Sequence, residues 1–181
     1  MDGIVHETDK EIRDNVVSFY EDLYQEKESW RPSMDGLDFH SIGAAESSHL
    51  ERKFDRDEVF QVLKDLQGDK APGPDGFSMA FFYKCWKVVG DNIMDFFEEF
   101  HIYCKFEKSL NATFIALIPK KKDALNIRDF RPISLVGSMY KLLSKVLASK
   151  IRLIMESLIS SSQNTFVGGH QTLDSILIVN E

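Results

Sequence analysis

Between Asp9 and about Glu28 the apolar residues Ile12, Val16, Phe19, Tyr20 and Leu23 recur every three or four positions among charged neighbours. That spacing predicts an amphipathic helix with Asp9 as its N-cap. Residues 29–50 hold Pro, Gly, Ser and His without a sustained period and predict a connector, with a domain edge inside it. Asp55-Arg56-Asp57-Glu58 then resembles a capping box ahead of Val59, Val62, Leu63 and Leu66, and Gly68 supplies the stop. Residues 70–76, KAPGPDG, place two prolines and two glycines in one short run. Proline fixes φ and glycine permits positive φ, so this run encodes one turn path and not a slack tether.

Two helices are expected next, Ser78 to Val89 and Asp91 to about Phe106, separated near Gly90. Their rings, Phe81, Phe82, Trp86, Phe96, Phe97, Phe100 and Tyr103, follow a helix face with few cations among them, which favours core packing over base stacking. Phe114 to Ile118 reads as a short apolar strand and Pro132 to Val136 as its antiparallel partner, with a polar segment from Lys120 to Arg131 between them. The longest helix runs from Ser138 to about Leu158. Tyr140, Leu143, Val146, Leu147, Ile151, Ile154 and Leu158 form its apolar stripe; Lys141, Lys145 and Arg152 lie off the stripe and Lys150 near its edge. A turn at Asn164 to Gly169 and a last helix from Thr172 complete the pattern. The fold class is α+β, predominantly helical with a small antiparallel hairpin.

Charge alters this picture only when it is resolved by position. The 181 residues carry a net charge of −7, which argues against a polyanionic partner. Residues 105–152, however, hold eleven Lys/Arg against three Asp/Glu, whereas residues 1–104 hold eleven against 23. A basic block inside an acidic chain can recruit RNA or DNA through its local field, although a solvated lysine-rich surface has the same composition. Cys85 and Cys104 lie far apart and the five histidines are scattered, a pattern of reduced thiols and not of a zinc site. The first residues lack the apolar run of a signal peptide, and no stretch approaches the length of a membrane span, so no membrane partner is expected.

No phosphate-binding glycine loop, HExxH or nucleophile with a His and acid at a recognisable spacing is present. Asp75 reads as a turn residue and Asp174 as an early helical carboxylate. The chemistry lies in the cations. Lys120 follows Pro119 at a strand terminus, and Arg131 precedes Pro132 where the return strand begins. If the strands pair, a lysine point charge and an arginine fork project to one end of a hairpin, where they can clamp neighbouring phosphates of a nucleotide.

Four blocks in order carry a resemblance: KAPGPDG from Lys70, SLNATFIALIPKK from Ser109, FRPISLVGSMYKLLSKVLASKI from Phe130, and QNTFVGGHQTLDSILIVNE from Gln163. They look like the successive N-terminal blocks of the reverse transcriptase, an RNA-directed DNA polymerase, of LINE-type non-LTR retrotransposons, most like those of plants. The resemblance implies that residues 55–181 correspond to the fingers and the start of the palm of a right-hand polymerase. Residues 1–54 would be the helical connector that precedes them. Lys120 and Arg131 would contact the phosphates of a deoxynucleotide triphosphate. Lys121, Lys122, Arg128, Lys141, Lys145 and Lys150 would lie near an RNA or DNA template-primer. Phe166, Gly169 and Asp174 match a block that packs fingers onto palm, with His170 where the family commonly has arginine. The aspartates that hold Mg2+ in the intact polymerase lie beyond these blocks, so no catalytic or metal-binding residue is assigned here, and a palm segment is an expected partner. By the same resemblance the location is nuclear. Two other readings fit the residues: a non-catalytic nucleic-acid-binding module, and an inert retrotransposon remnant.

Overall fold

The computed structural model describes residues 7–31, 33, 35–36, 41–66, 68 and 70–159. The expected last helix and the block from Gln163 lie outside the described residues. Helix α1 spans Asp9–Tyr24, and its cap is Thr8, one residue ahead of the expected Asp9. The Thr8 hydroxyl accepts from Glu11 N at 3.3 Å while the Glu11 carboxylate accepts from Thr8 N, a reciprocal capping box. Helix α2, Ala44–Glu51, falls inside the stretch expected to be a connector. Its sequence AAESSHLE has no apolar stripe to reveal it, and what starts it is the Glu46 carboxylate accepting from Gly43 N at 2.6 Å.

Helix α3, Arg56–Asp65, begins where the sequence predicts, with Asp55 accepting from Asp57 N and Glu58 N at 2.9 and 3.2 Å. Glu58 does not turn back to complete a box, because both its oxygens take the Arg52 guanidinium, at 3.0 and 3.1 Å. Helices α4, Met79–Lys84, and α5, Trp86–Tyr103, are divided at Cys85 and not at Gly90. Gly90 sits buried within α5, where a Cβ would meet Arg56 Nη2 at 2.8 Å and the Trp86 ring at 3.2 Å. The glycine gives passage to the Arg56 guanidinium, which lies 5.4 Å above the Trp86 ring and pairs with Asp91 at 2.6 Å. It is therefore a site of close approach, which a sequence reading takes for a helix stop.

The core gathers where α3 meets α4 and α6, Ser138–Arg152. Val59, Val62 and Leu63 of α3 face Leu142, Leu143 and Val146 of α6, with Met79, Ile93 and Phe97 closing the cluster. Phe97 is wholly buried and meets Phe54 edge-on at 4.9 Å, and Phe82, Trp86, Phe96 and Phe100 pack against the cluster as their spacing predicts, whereas Phe81 and Tyr103 are exposed. Strands β1, Thr113–Pro119, and β2, Phe130–Val136, form a two-stranded antiparallel ribbon. The long helix expected to reach Leu158 ends at Arg152. A turn at Leu153 and Ile154, which buries Ile154 and leaves Leu153 exposed, precedes the short α7, Met155–Leu158. The fold is α+β and mostly helical, and among the described residues no helix is long and apolar enough to cross a membrane.

The chain falls into two compact units, Met1–Asp38 with Leu117–Arg131, and Phe39–Ala116 with Pro132–Glu181. The first holds α1 and the loop between the strands. The second holds the helical core.

Candidate nucleic-acid interface

In the first unit, the loop from Lys120 to Arg131 is fixed by its own hydrogen bonds. Lys120 N donates to Asp129 O at 2.7 Å, which continues the ribbon by one rung. Asn126 shapes the return, its side chain accepting from Arg128 N at 3.0 Å and its carbonyl from Asp129 N at 2.8 Å. Asp123 occupies the left-handed region at φ 56°, which a short polar side chain tolerates better than most. Lys120 stands opposite Asp129 one residue past the end of β1, and Arg131 lies in β2 one residue past its start.

The side chains divide into engaged and free cations. The Lys120 ammonium turns back onto the Arg128 carbonyl at 2.6 Å, and Lys121 pairs with Asp129 at 2.9 Å. The hydrogen bond from Lys121 holds the Asp129 carboxyl below its ordinary value, with the charges of Lys121 and Lys120 adding to the effect against a desolvation penalty. Lys122, Arg128 and Arg131 are exposed, and among the described residues no hydrogen bond or ion pair holds their side chains. Lys120 is thus engaged where Arg131 is free: Lys120 must leave its carbonyl before it can reach an anion.

In the second unit, the KAPGPDG run is bolted to the start of α6. Asp75 accepts from Phe77 N at 3.3 Å, the local turn that the sequence predicts, and its other oxygen accepts from Ser138 N. That second bond caps α6 from a distance, because Gly137 at its N-cap has no side chain to do so. The Ser138 hydroxyl donates to Phe77 O at 2.7 Å. Gly73 makes the approach possible: a Cβ there would strike the Val136 carbonyl and stand 2.7 Å from Gly137 N. No sequence signal joins Asp75 to Ser138, so this lock is visible only in the fold.

The cations of α6 do not form one basic face. Lys141 donates to Ala71 O at 3.3 Å, which ties it to the same loop, and Lys145 is exposed without a partner among the described residues. Lys150 is 2% exposed; it donates to Arg52 O at 2.8 Å and lies 4.1 Å from the centre of the Phe54 ring. Burial pushes its pKa down, with Arg52 adding and Glu58 opposing. Expected as a surface contact, Lys150 is instead part of the core margin, out of reach of a polyanion. The expectation erred because a lysine at the edge of an apolar stripe can bury its stem and bond a carbonyl instead of projecting outward.

Among the described residues no three His, Cys, Asp or Glu side chains come together to hold a metal ion. Phe166, Gly169, His170 and Asp174 lie outside the described residues.

No protein-family profile matches the chain. It is similar to the Xenopus laevis protein named transposon TX1 uncharacterized 149 kDa protein, with 26% identity over 184 residues. The similarity covers 99% of this chain and 14% of that protein, so the chain spans about a seventh of its relative's length.

Proposed function

We propose that this chain derives from a mobile element and is the N-terminal fingers part of a LINE-type reverse transcriptase, in which the loop Lys120 to Arg131 binds template and nucleotide phosphates. The observation that carries the reading is the loop itself. Five cations stand within twelve residues at the end of a two-stranded ribbon, on a backbone closed by the Lys120 N to Asp129 O bond, with Lys122, Arg128 and Arg131 free to meet an anion. Cations held on a rigid turn lose little freedom on binding and accept a phosphate backbone without regard to sequence. The name of the Xenopus relative, a transposon protein, supports the mobile-element origin. The ordered blocks KAPGPDG, IALIPKK and FRPISL support the finer assignment to a polymerase of such an element.

The test is fluorescence anisotropy with labelled single-stranded RNA across a salt series. Affinity is expected to fall with salt, and Lys120→Ala with Arg131→Ala to reduce the log–log slope by about 1.4, two phosphates at about 0.7 each. An unchanged slope removes these two residues from the interface. Absence of binding at low salt overturns the nucleic-acid reading of the loop.

A further inference from the structure

Away from the basic loop, a groove of about 390 Å3 opens where α5 ends. Phe96, Glu99, Phe100 and Tyr103 follow at helical spacing along one face of α5. The chain reverses at Cys104, which lies in the left-handed region at φ 49°, and brings Lys105 and Glu107 round as the opposite wall. Phe106 anchors that wall edge-on against Phe96 at 5.9 Å and Tyr140 at 5.6 Å. Tyr103 is 68% exposed, so its ring is available to a ligand.

The charges around the groove are uncommitted. Elsewhere on α5, Asp91 pairs with Arg56 and Glu98 with Lys53. Glu99 and Glu107 are exposed and their carboxylates have no hydrogen bond or ion pair among the described residues, with Lys105 the single cation on the rim. Aromatic faces carry negative potential, and two unpaired carboxylates beside three rings make a site that favours a cation and repels a phosphate. We propose that this groove binds a cationic side chain, arginine above all, presented by a basic partner polypeptide. A guanidinium is planar, stacks on a ring and offers a fork of donors to a carboxylate, which suits both components of the site. Residues 153–181 contain no Lys or Arg and do not supply such a cation.

The experiment titrates the full 181-residue chain with the capped tripeptide Gly-Arg-Gly and with its neutral isostere Gly-citrulline-Gly, following aromatic ring resonances by NMR. The arginine peptide is expected to shift Phe96, Phe100 and Tyr103 saturably and to bind about fivefold or more tightly than the citrulline peptide. Glu99→Gln with Glu107→Gln should weaken it by at least about fivefold. Glu21→Gln with Glu28→Gln, the same change in net charge on the other unit, should leave it unaltered. Unmoved rings, equal binding of the citrulline peptide, or an equal loss in the Glu21/Glu28 control would overturn the proposal. Tighter saturation of the same rings by adenosine monophosphate would overturn it in favour of base stacking.

Discussion

Single side chains decide how the basic loop behaves. Asp129 occupies Lys121 and sits opposite Lys120, so an incoming phosphate competes with a carboxylate already in place. Asp129→Asn is expected to raise RNA affinity about two- to fivefold, the scale of an exposed ion pair. Asp123→Asn, which removes a loop charge with no ion pair among the described residues, should raise it less, and equal effects by anisotropy would reduce Asp129 to background charge. Lys150 shows the opposite use of a cation. Lys150→Met leaves the Arg52 carbonyl without its donor and is expected to cost about 1–3 kcal/mol in urea denaturation near neutral pH. Because burial lowers the pKa of Lys150, the folded chain sheds this proton before the unfolded chain does. The unfolded state then binds more protons over the interval from that lowered value to the ordinary lysine value, and wild-type stability rises through it. The gap between wild type and Lys150→Met should therefore widen with rising pH, and a constant gap would show that burial does not tune this group. The sequence marked Lys120 and Arg131 by their places beside prolines and set Lys150 nearer the apolar stripe than Lys145, but it did not show that Lys150 is buried while Lys145 faces solvent. Three to five residues along a helix decide between those fates only once the partner surface is known.

Elements were legible in proportion to how much of their cause is local. Helix α3 carries its own cap and stripe, and the ribbon its own apolar runs on either side of a polar loop, so both could be read directly. Helix α2 has no stripe, and the place of Gly90 inside α5 depends on Arg56 arriving over it from another helix. The start of α6 is of the second kind, since its cap comes from Asp75. Asp75→Ala is expected to destabilise the chain by about 0.5–2 kcal/mol, the range for a lost N-cap, with early loss of hydrogen-exchange protection at Ser138. Gly73→Ala, which must displace the Val136 carbonyl, should cost about 1–3 kcal/mol. If Asp75→Ala leaves both stability and the Ser138 amide unchanged, the distant cap contributes nothing.

At the scale of the molecule, the helical core and the basic loop belong to different units, and the loop cations and the α6 cations are divided between them. The acidic total conceals this, because charge summed over a chain reports nothing about where a polyanion can settle. Under the polymerase reading, the 181-residue chain alone should bind primer-template and incorporate no nucleotide in a magnesium-containing extension assay; reproducible incorporation would require metal-binding carboxylates that the sequence blocks do not supply. The bond between Asp75 and Ser138 spans 63 positions, and it has a consequence for synthesis. Asp75 leaves the ribosome long before the amide it will hold, and α3 emerges farther still ahead of the helix that covers its apolar side. A message cut short within that interval would yield a product with its loop unfastened and its oily flank bare, a substrate for quality control and not a half-working protein.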